Sequence, residues 1–318
     1  MKIKNFFNKI SDYLNIVSLF VLILIFTAIN PNFMSPNNIS NILTDTAPLL
    51  LMAIGITFVL LLGSIDLSTG SICTCTCVIT GMYMGDYGLF ILVPVIAFGF
   101  FAGMLNGFIF TKLKVPSFIV TLCTSAIFKC CALILSGGRP AGIPIDKWSM
   151  LAWSKVKFLE IIPVYFLIAA IILGLCHFLQ KRTVLGRGIF AGGANETAAK
   201  MMGIKIDRVK LYAFMICGVL SALSGFFYAV KLRSSLPTVG DNLGLLCIAA
   251  VALGGTSLAG GRGGVLKSLI GVLLVIVIQS GLNVIGVGAF WQQIVFGSLV
   301  IVAIFMSSDK VNTELIVK

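Results

Sequence analysis

Leu89-Phe90-Ile91-Leu92-Val93-Pro94-Val95-Ile96-Ala97-Phe98-Gly99-Phe100-Phe101-Ala102-Gly103-Met104-Leu105-Asn106-Gly107-Phe108-Ile109-Phe110 carries no charge from end to end. A helix of about 20 apolar residues crosses the hydrocarbon core of a bilayer. Lipid offers no partner for backbone N–H and C=O groups, so a run of this kind must be helical. Nine further apolar runs flank it: Leu14–Ile29, Ala47–Leu62, Thr69–Met84, Pro116–Leu135, Leu159–Leu179, Val209–Val230, Leu243–Leu258, Val265–Leu282 and Phe290–Met306. The pattern predicts an all-α polytopic membrane protein of about ten transmembrane helices, a single domain over residues 1–318. Segments of about ten alternating residues, the mark of a membrane barrel, are missing from the sequence.

Composition agrees. Of 318 residues, 58% are hydrophobic and 11% charged, and the mean hydropathy is +1.08. Soluble domains carry roughly 25% charged residues. The net charge of +12 does not point to nucleic acid, because no basic patch is interleaved with aromatics. It reads as topology. With the N-terminus inside and ten crossings, both termini are cytoplasmic. Arg139, Lys147, Lys155, Lys157, Lys231 and Arg233 then fall outside, Lys129 falls within a span, and all other Lys and Arg fall inside. That excess is the positive-inside pattern. The longest hydrophilic segments are an outer loop at 136–160 and an inner loop at 181–210. Lys2, Lys4 and Lys9 before the first run imitate a signal peptide, but Ala28-Ile29-Asn30-Pro31 is a poor cleavage site, so that run reads as an uncleaved helix.

The nine Cys all lie in apolar runs. Cys73-Thr74-Cys75-Thr76-Cys77 lacks zinc-site spacing, and His177 is the only histidine. These residues read as packing groups; no metal or cofactor is expected.

Four motifs remain. Gly63-Ser64-Ile65-Asp66-Leu67-Ser68-Thr69-Gly70-Ser71 breaks an apolar stretch with a carboxylate. It is either a broken helix whose polar groups line a cavity, or a tight inner turn in which Asp66 caps the next helix. Gly99, Gly103 and Gly107 stand four apart on one helix face, a packing signal. Asn106 beside them needs a hydrogen-bond partner. In the inner loop, Asn195 suits an N-cap, Glu196 the first turn and Gly203 a C′ position, so a short exposed helix is expected there. Ala198, Ala199, Met201 and Met202 would give it an apolar face, which a docked partner explains and solvation does not. The Gly-rich stretch Leu253-Gly254-Gly255-Thr256-Ser257-Leu258-Ala259-Gly260-Gly261-Arg262-Gly263-Gly264 is not a phosphate loop, because Leu266 precedes Lys267-Ser268 and no strand precedes the stretch. It reads as a second helix interruption, loosely echoing the first.

The first, third and fourth of these motifs, together with Lys114-Val115-Pro116-Ser117-Phe118-Ile119-Val120-Thr121-Leu122, resemble the permeases of ribose-type ABC importers, in the branched-chain amino acid/ribose permease superfamily. Order and spacing match from about residue 40 to 305. The resemblance implies a type II importer fold with two permease subunits, as homodimer or heterodimer, around one pathway. It implies a cytoplasmic ATP-binding subunit, an extracytoplasmic solute-binding protein, and a coupling helix over Asn195–Gly203. Two departures stand out. The family's Tyr-Glu-Leu-Asp-like stretch before Ile248 reads Leu243-Gly244-Leu245-Leu246-Cys247 here, and Lys129 stands where Arg is usual.

The resulting expectation is a multi-pass cell-membrane permease, not an enzyme, moving a small neutral solute such as a monosaccharide. Intramembrane polarity nominates Asp66, Ser68, Asn106, Thr121 and Asn283 for its pathway. The competing reading is an ion-coupled transporter using Asp66 or Lys129. An intramembrane enzyme would need a nucleophile–base or metal constellation, which the sequence does not offer.

Overall fold

The computed structural model describes residues 2–307, with side chains for 15–305. Lys310 and Lys318, assigned above to the inner side, lie outside the described residues, as do the side chains of Lys2, Lys4 and Lys9. Among the described residues twelve α-helices follow one another: α1 (Lys2–Ile29), α2 (Pro36–Leu60), α3 (Thr69–Tyr87), α4 (Leu92–Lys112), α5 (Ser117–Ser136), α6 (Val164–Arg182), α7 (Val184–Ala194), α8 (Glu196–Met201), α9 (Ile206–Leu232), α10 (Leu243–Leu253), α11 (Val265–Ile285) and α12 (Ala289–Ser307). Among the described residues, six helical stretches are long and apolar enough to cross a membrane: Pro36–Leu60, Thr69–Lys112, Ser117–Ser136, Val164–Arg182, Ile206–Leu232 and Val265–Ile285. The second of these holds both α3 and α4, joined by a turn at Gly88–Ile91. Shorter apolar helices cover Asn15–Ile29, Leu243–Leu253 and Ala289–Phe305. Each apolar run read from the sequence overlaps one of these helices.

α2 is the axis of the bundle. Ser35 caps it by accepting from the Asn38 N–H, and Pro36 occupies the first turn, where no N–H is needed. From Thr46 to Leu61 every side chain is buried, as expected of a helix that is apolar all round. α9 lies along it and also against α4. There the stripe Gly99, Gly103 and Gly107 faces Gly218, Phe214 and Leu211, and a Cβ on Gly103 would run into the Phe214 carbonyl. Close backbone approach of this kind supplies dispersion where lipid supplies no hydrophobic drive.

The loops segregate to two ends. At one end, Ala141–Gly142 pairs antiparallel with Ser234–Ser235. Arg233 sits 4.3 Å over the Trp148 ring, and Lys231 forms an ion pair with Asp45. At the other end, the C-terminal turn of α7 lies against the two interruptions, and α8 follows it. Gly261 N–H donates to the Leu61 carbonyl at 2.9 Å, and Gly193 is so close to that carbonyl that no methyl group fits between them.

Two runs end differently from the sequence reading. The helix expected from Leu159 begins at Val164, because Lys157–Phe158 and Ile162–Pro163 form a small hairpin with Leu159 and Glu160 at positive φ. The helix from Leu243 stops at Leu253, where Gly254 and Gly255 end it and the Gly-rich stretch runs non-helical to Gly264.

Candidate functional site

Residues 64–68 and 236–242 are non-helical and meet inside the bundle. Ser235 abuts Gly81 and Gly240 abuts Gly70, so the second segment follows α3 inward over eleven residues, about 16 Å at helical rise. Gly240 N–H donates to Thr74 Oγ1 at 3.0 Å, and Gly244 packs on Thr69 and Leu67. α3 and α10 therefore both begin within the bundle, with their N-terminal ends side by side. Non-helical backbone at such depth is tolerated where protein buries it or water lines it. Helix N-termini there present partial positive charge to whatever lies before them.

What lies before them is a cavity of about 260 Å³, lined by Leu67, Gly70, Ser71 and Thr74 on one wall, Leu122, Ser125 and Lys129 on a second, and Gly240, Asp241, Gly244 and Leu245 on a third. Lys129 and Asp241 form an ion pair at 2.8 Å across its edge, with 44% and 36% of their side chains exposed. Lys129 is the thirteenth residue of α5, about 18 Å from the start of that helix.

The nominated pathway residues divide. Asp66, Ser68, Asn106 and Thr121 are fully buried. Asp66 Oδ1 accepts from the Ser68 N–H (2.9 Å) and hydroxyl (2.6 Å), and Asn106 Nδ2 donates to Ser68 Oγ at 2.8 Å. Thr121 Oγ1 accepts from the Leu67 N–H at 3.0 Å, and Ser117 Oγ from the Ile65 N–H at 3.1 Å. The four thus fasten the first interruption to α4 and α5, behind the cavity wall that Leu67 and Gly70 present. Neither local reading of the motif holds as stated: Asp66 and Ser68 do not line the cavity, and Asp66 Oδ1 bonds Ser68, the residue before α3, while the first turn of α3 receives no side-chain cap. Asn283 is not with them. It is exposed at the end of α11 and accepts from Gln292 Nε2 at 2.7 Å.

At the α7–α8 end of the bundle, Asn195 Oδ1 caps α8 by accepting from the Ala198 N–H at 3.0 Å, and Gly203 follows at φ +80°. The helix has two distinct faces. Ala199 is buried, and Glu196 is held by Lys200 at 2.7 Å and Lys210 at 2.8 Å. Ala198, Met201 and Met202 point outward, the two methionines 84% and 80% exposed. The apolar face read from the sequence is split between the body of the protein and the open surface. Burial by itself raises the Glu196 carboxyl, but the hydrogen bonds and charges of Lys200 and Lys210 outweigh it and hold the group below the usual carboxylate range.

Among the described residues no His, Cys, Asp or Glu cluster could hold a metal.

The family model for "Branched-chain amino acid transport system / permease component" matches residues 38–304. The chain belongs to that permease family. The ribose import permease protein of Bacillus subtilis is 38% identical over 302 residues, 92% of each chain. That of Haemophilus influenzae is 35% identical over 291 residues, covering 91% of this chain and 90% of the relative. That of Escherichia coli K12 is 32% identical over 312 residues, covering 96% and 97%. No solved structure matches.

The permease is a multi-pass protein of the cell membrane. Its family resemblance set up an absence at Leu243–Cys247, where acidic residues are usual. The geometry supplies a carboxylate two residues earlier, at Asp241, in ion-pair contact with Lys129. Sequence reading missed Asp241, together with Ser71, Thr74 and Ser125. A signal existed: Lys129 stood alone in a span, and a charge there is costly without a partner.

Proposed function

We propose that this chain is the membrane-spanning subunit of an ATP-driven importer for a small neutral solute, most readily a monosaccharide or similar polyol. In this reading ten helices cross the membrane with both termini cytoplasmic. Two permease subunits, identical or not, enclose one pathway. A cytoplasmic ATP-binding subunit supplies the energy through α8, and an extracytoplasmic binding protein delivers the solute. The permease does no chemistry; it alternates between inward and outward openings.

The observation that carries the reading is the cavity at the meeting of the two helix breaks, with its hydroxyls and its partly open ion pair. In lipid each of the two charged side chains would cost about 2.5–3.5 kcal/mol on insertion scales. A second subunit or a water-filled pathway accommodates them. Exposed apolar side chains elsewhere, such as Phe90, Ile134 and Phe290, suit contact with lipid. The relatives' names add the solute class, since they are ribose import permeases. α8 adds the coupling surface: its outward face, Ala198, Met201 and Met202, awaits a cleft, while Asn195, Glu196, Ala199 and Gly203 fix the helix to the body. Asp66, Ser68, Asn106 and Thr121 serve the pathway from behind, by setting the shape of its wall.

The test is reconstitution in liposomes with and without the partner ATPase and binding protein. Sugar uptake that requires both partners and ATP is expected. Uptake by this chain alone, driven by a proton or sodium gradient, would sink the importer reading in favour of ion coupling.

A further inference from the structure

Lys129 and Asp241 raise a question that stability does not answer. An ion pair this open adds little to folding. Holding two charges at a cavity lined by Leu122 and Leu245 is expensive in a membrane protein, and intramembrane charges are retained for function. The pair also joins two separate elements: Lys129 belongs to the continuous helix α5, Asp241 to the non-helical segment that feeds α10.

We infer that the Lys129–Asp241 pair is the specificity-determining element of the cavity, reading two adjacent hydroxyls of an uncharged solute. The inference rests on the importer reading above. Nζ and Oδ1 are 2.8 Å apart, close to the separation of hydroxyl oxygens on neighbouring carbons. A diol meeting the pair accepts from the lysine through one oxygen and donates to the aspartate through the other, so neither charge loses its partner as the solute binds. Hydrogen bonds to charged groups are the strong ones. Ser71 and Ser125 on the facing walls offer hydroxyls to the remaining oxygens. A charged solute fares worse. An anion must draw Lys129 away from Asp241, and a cation must draw Asp241 away from Lys129, so either leaves one charge of the pair without its counterpart in a cavity that the solute now shields from water. The volume of about 260 Å³ lies below the roughly 300–1000 Å³ of drug-sized pockets, which fits a solute of few atoms.

The experiment uses the complete importer, with its ATPase and binding protein, in proteoliposomes. D-Ribose and 2-deoxy-D-ribose, which lacks one hydroxyl of the adjacent pair, are supplied separately and ATP-dependent uptake is measured. The binding protein is the same throughout, so a change in the ratio of the two rates arises in the permease. Wild type is expected to favour ribose. K129Q and D241N are expected to lower ribose uptake about tenfold, the loss of one hydrogen bond to a charged group, and to bring the ratio towards one. K129R, which keeps the donor, is expected to retain the preference. An unchanged ratio in both variants overturns the inference, and so does an equal loss of both sugars, which would make the pair structural. Uptake of neither sugar by the wild type would instead strike at the proposed solute class, and at this inference with it.

Discussion

The two breaks in the membrane helices handle their carboxylates in opposite ways. At 64–68, Asp66 is buried and turned back on its own chain through Oδ1, with Asn106 holding the Ser68 hydroxyl and Thr121 and Ser117 holding the backbone on either side, while Asp66 Oδ2 and Asn106 Oδ1 have no hydrogen-bond partner among the described residues. At 236–242, Asp241 reaches across a cavity to Lys129 and stays partly open. The lesson is that membrane depth alone does not make an acidic residue part of a pathway. The first break spends its polarity on holding shape. The second, in the reading proposed above, presents its polarity to a solute.

The strongest way to break that contrast is to exchange the outcomes. Asp66→Ala should remove the acceptor of two hydrogen bonds and leave the buried Ser68 groups unpaired, a loss of about 1–3 kcal/mol for each unsatisfied group. The yield of monodisperse protein and its melting temperature should fall sharply. Asp241→Asn should leave both close to wild type. If Asp241→Asn destabilised the protein as much as Asp66→Ala, the division between shape and pathway would not stand.

A smaller effect concerns how the first break is moved. Met202→Asp, on the outward face of α8, should abolish ATPase co-purification while the melting temperature stays within a few degrees. Ala199→Ser, on the inward face, should leave co-purification in place. The reverse pattern would show that the two faces of α8 have been assigned the wrong way round.

The smallest effect is one of pH. The Glu196 carboxyl is held lower in the folded protein than in an unfolded chain. Its contribution is therefore complete above the unfolded value, about 4.3 for a glutamate, and is lost only as pH falls through the lower folded one. Hydrogen exchange at α8 should show constant protection, after correction for intrinsic rates, from pH 8 to about pH 5, and weakening only below the ordinary carboxylate range. In Glu196→Gln the protection should be lower and flat with pH.

Features set by near neighbours in the chain were readable in the sequence. The apolar runs fall on helices because length and composition decide that locally. Asn195 caps α8 by a bond to a residue three positions on. Gly99, Gly103 and Gly107 announced a close helix contact without naming α9 as the other half. α7 escaped notice because Gly186, Gly188, Gly192 and Gly193 disfavour a helix in isolation. They are accepted because each meets a neighbour that a side chain would displace: the Gln180 carbonyl, Val209, Ile206 and the Leu61 carbonyl. The apolar face of α8 was seen as a composition but not as two sides, since burial of Ala199 depends on the body beneath it. The cavity was out of reach for a related reason. Its walls come from α3, α5 and the segment before α10, and only packing brings Lys129 to Asp241.

Gly193 bears one more consequence. Its backbone rests on the Leu61 carbonyl with no space for a methyl group, and Gly261 hydrogen-bonds to the same carbonyl. α8 begins three residues later. Under the coupling proposed above, a displacement of α8 has no cushion of side chains at Gly193 to compress before it arrives at the first break. On that proposal the linkage is a push-rod and not a spring, and the travel delivered at one end is the travel received at the other.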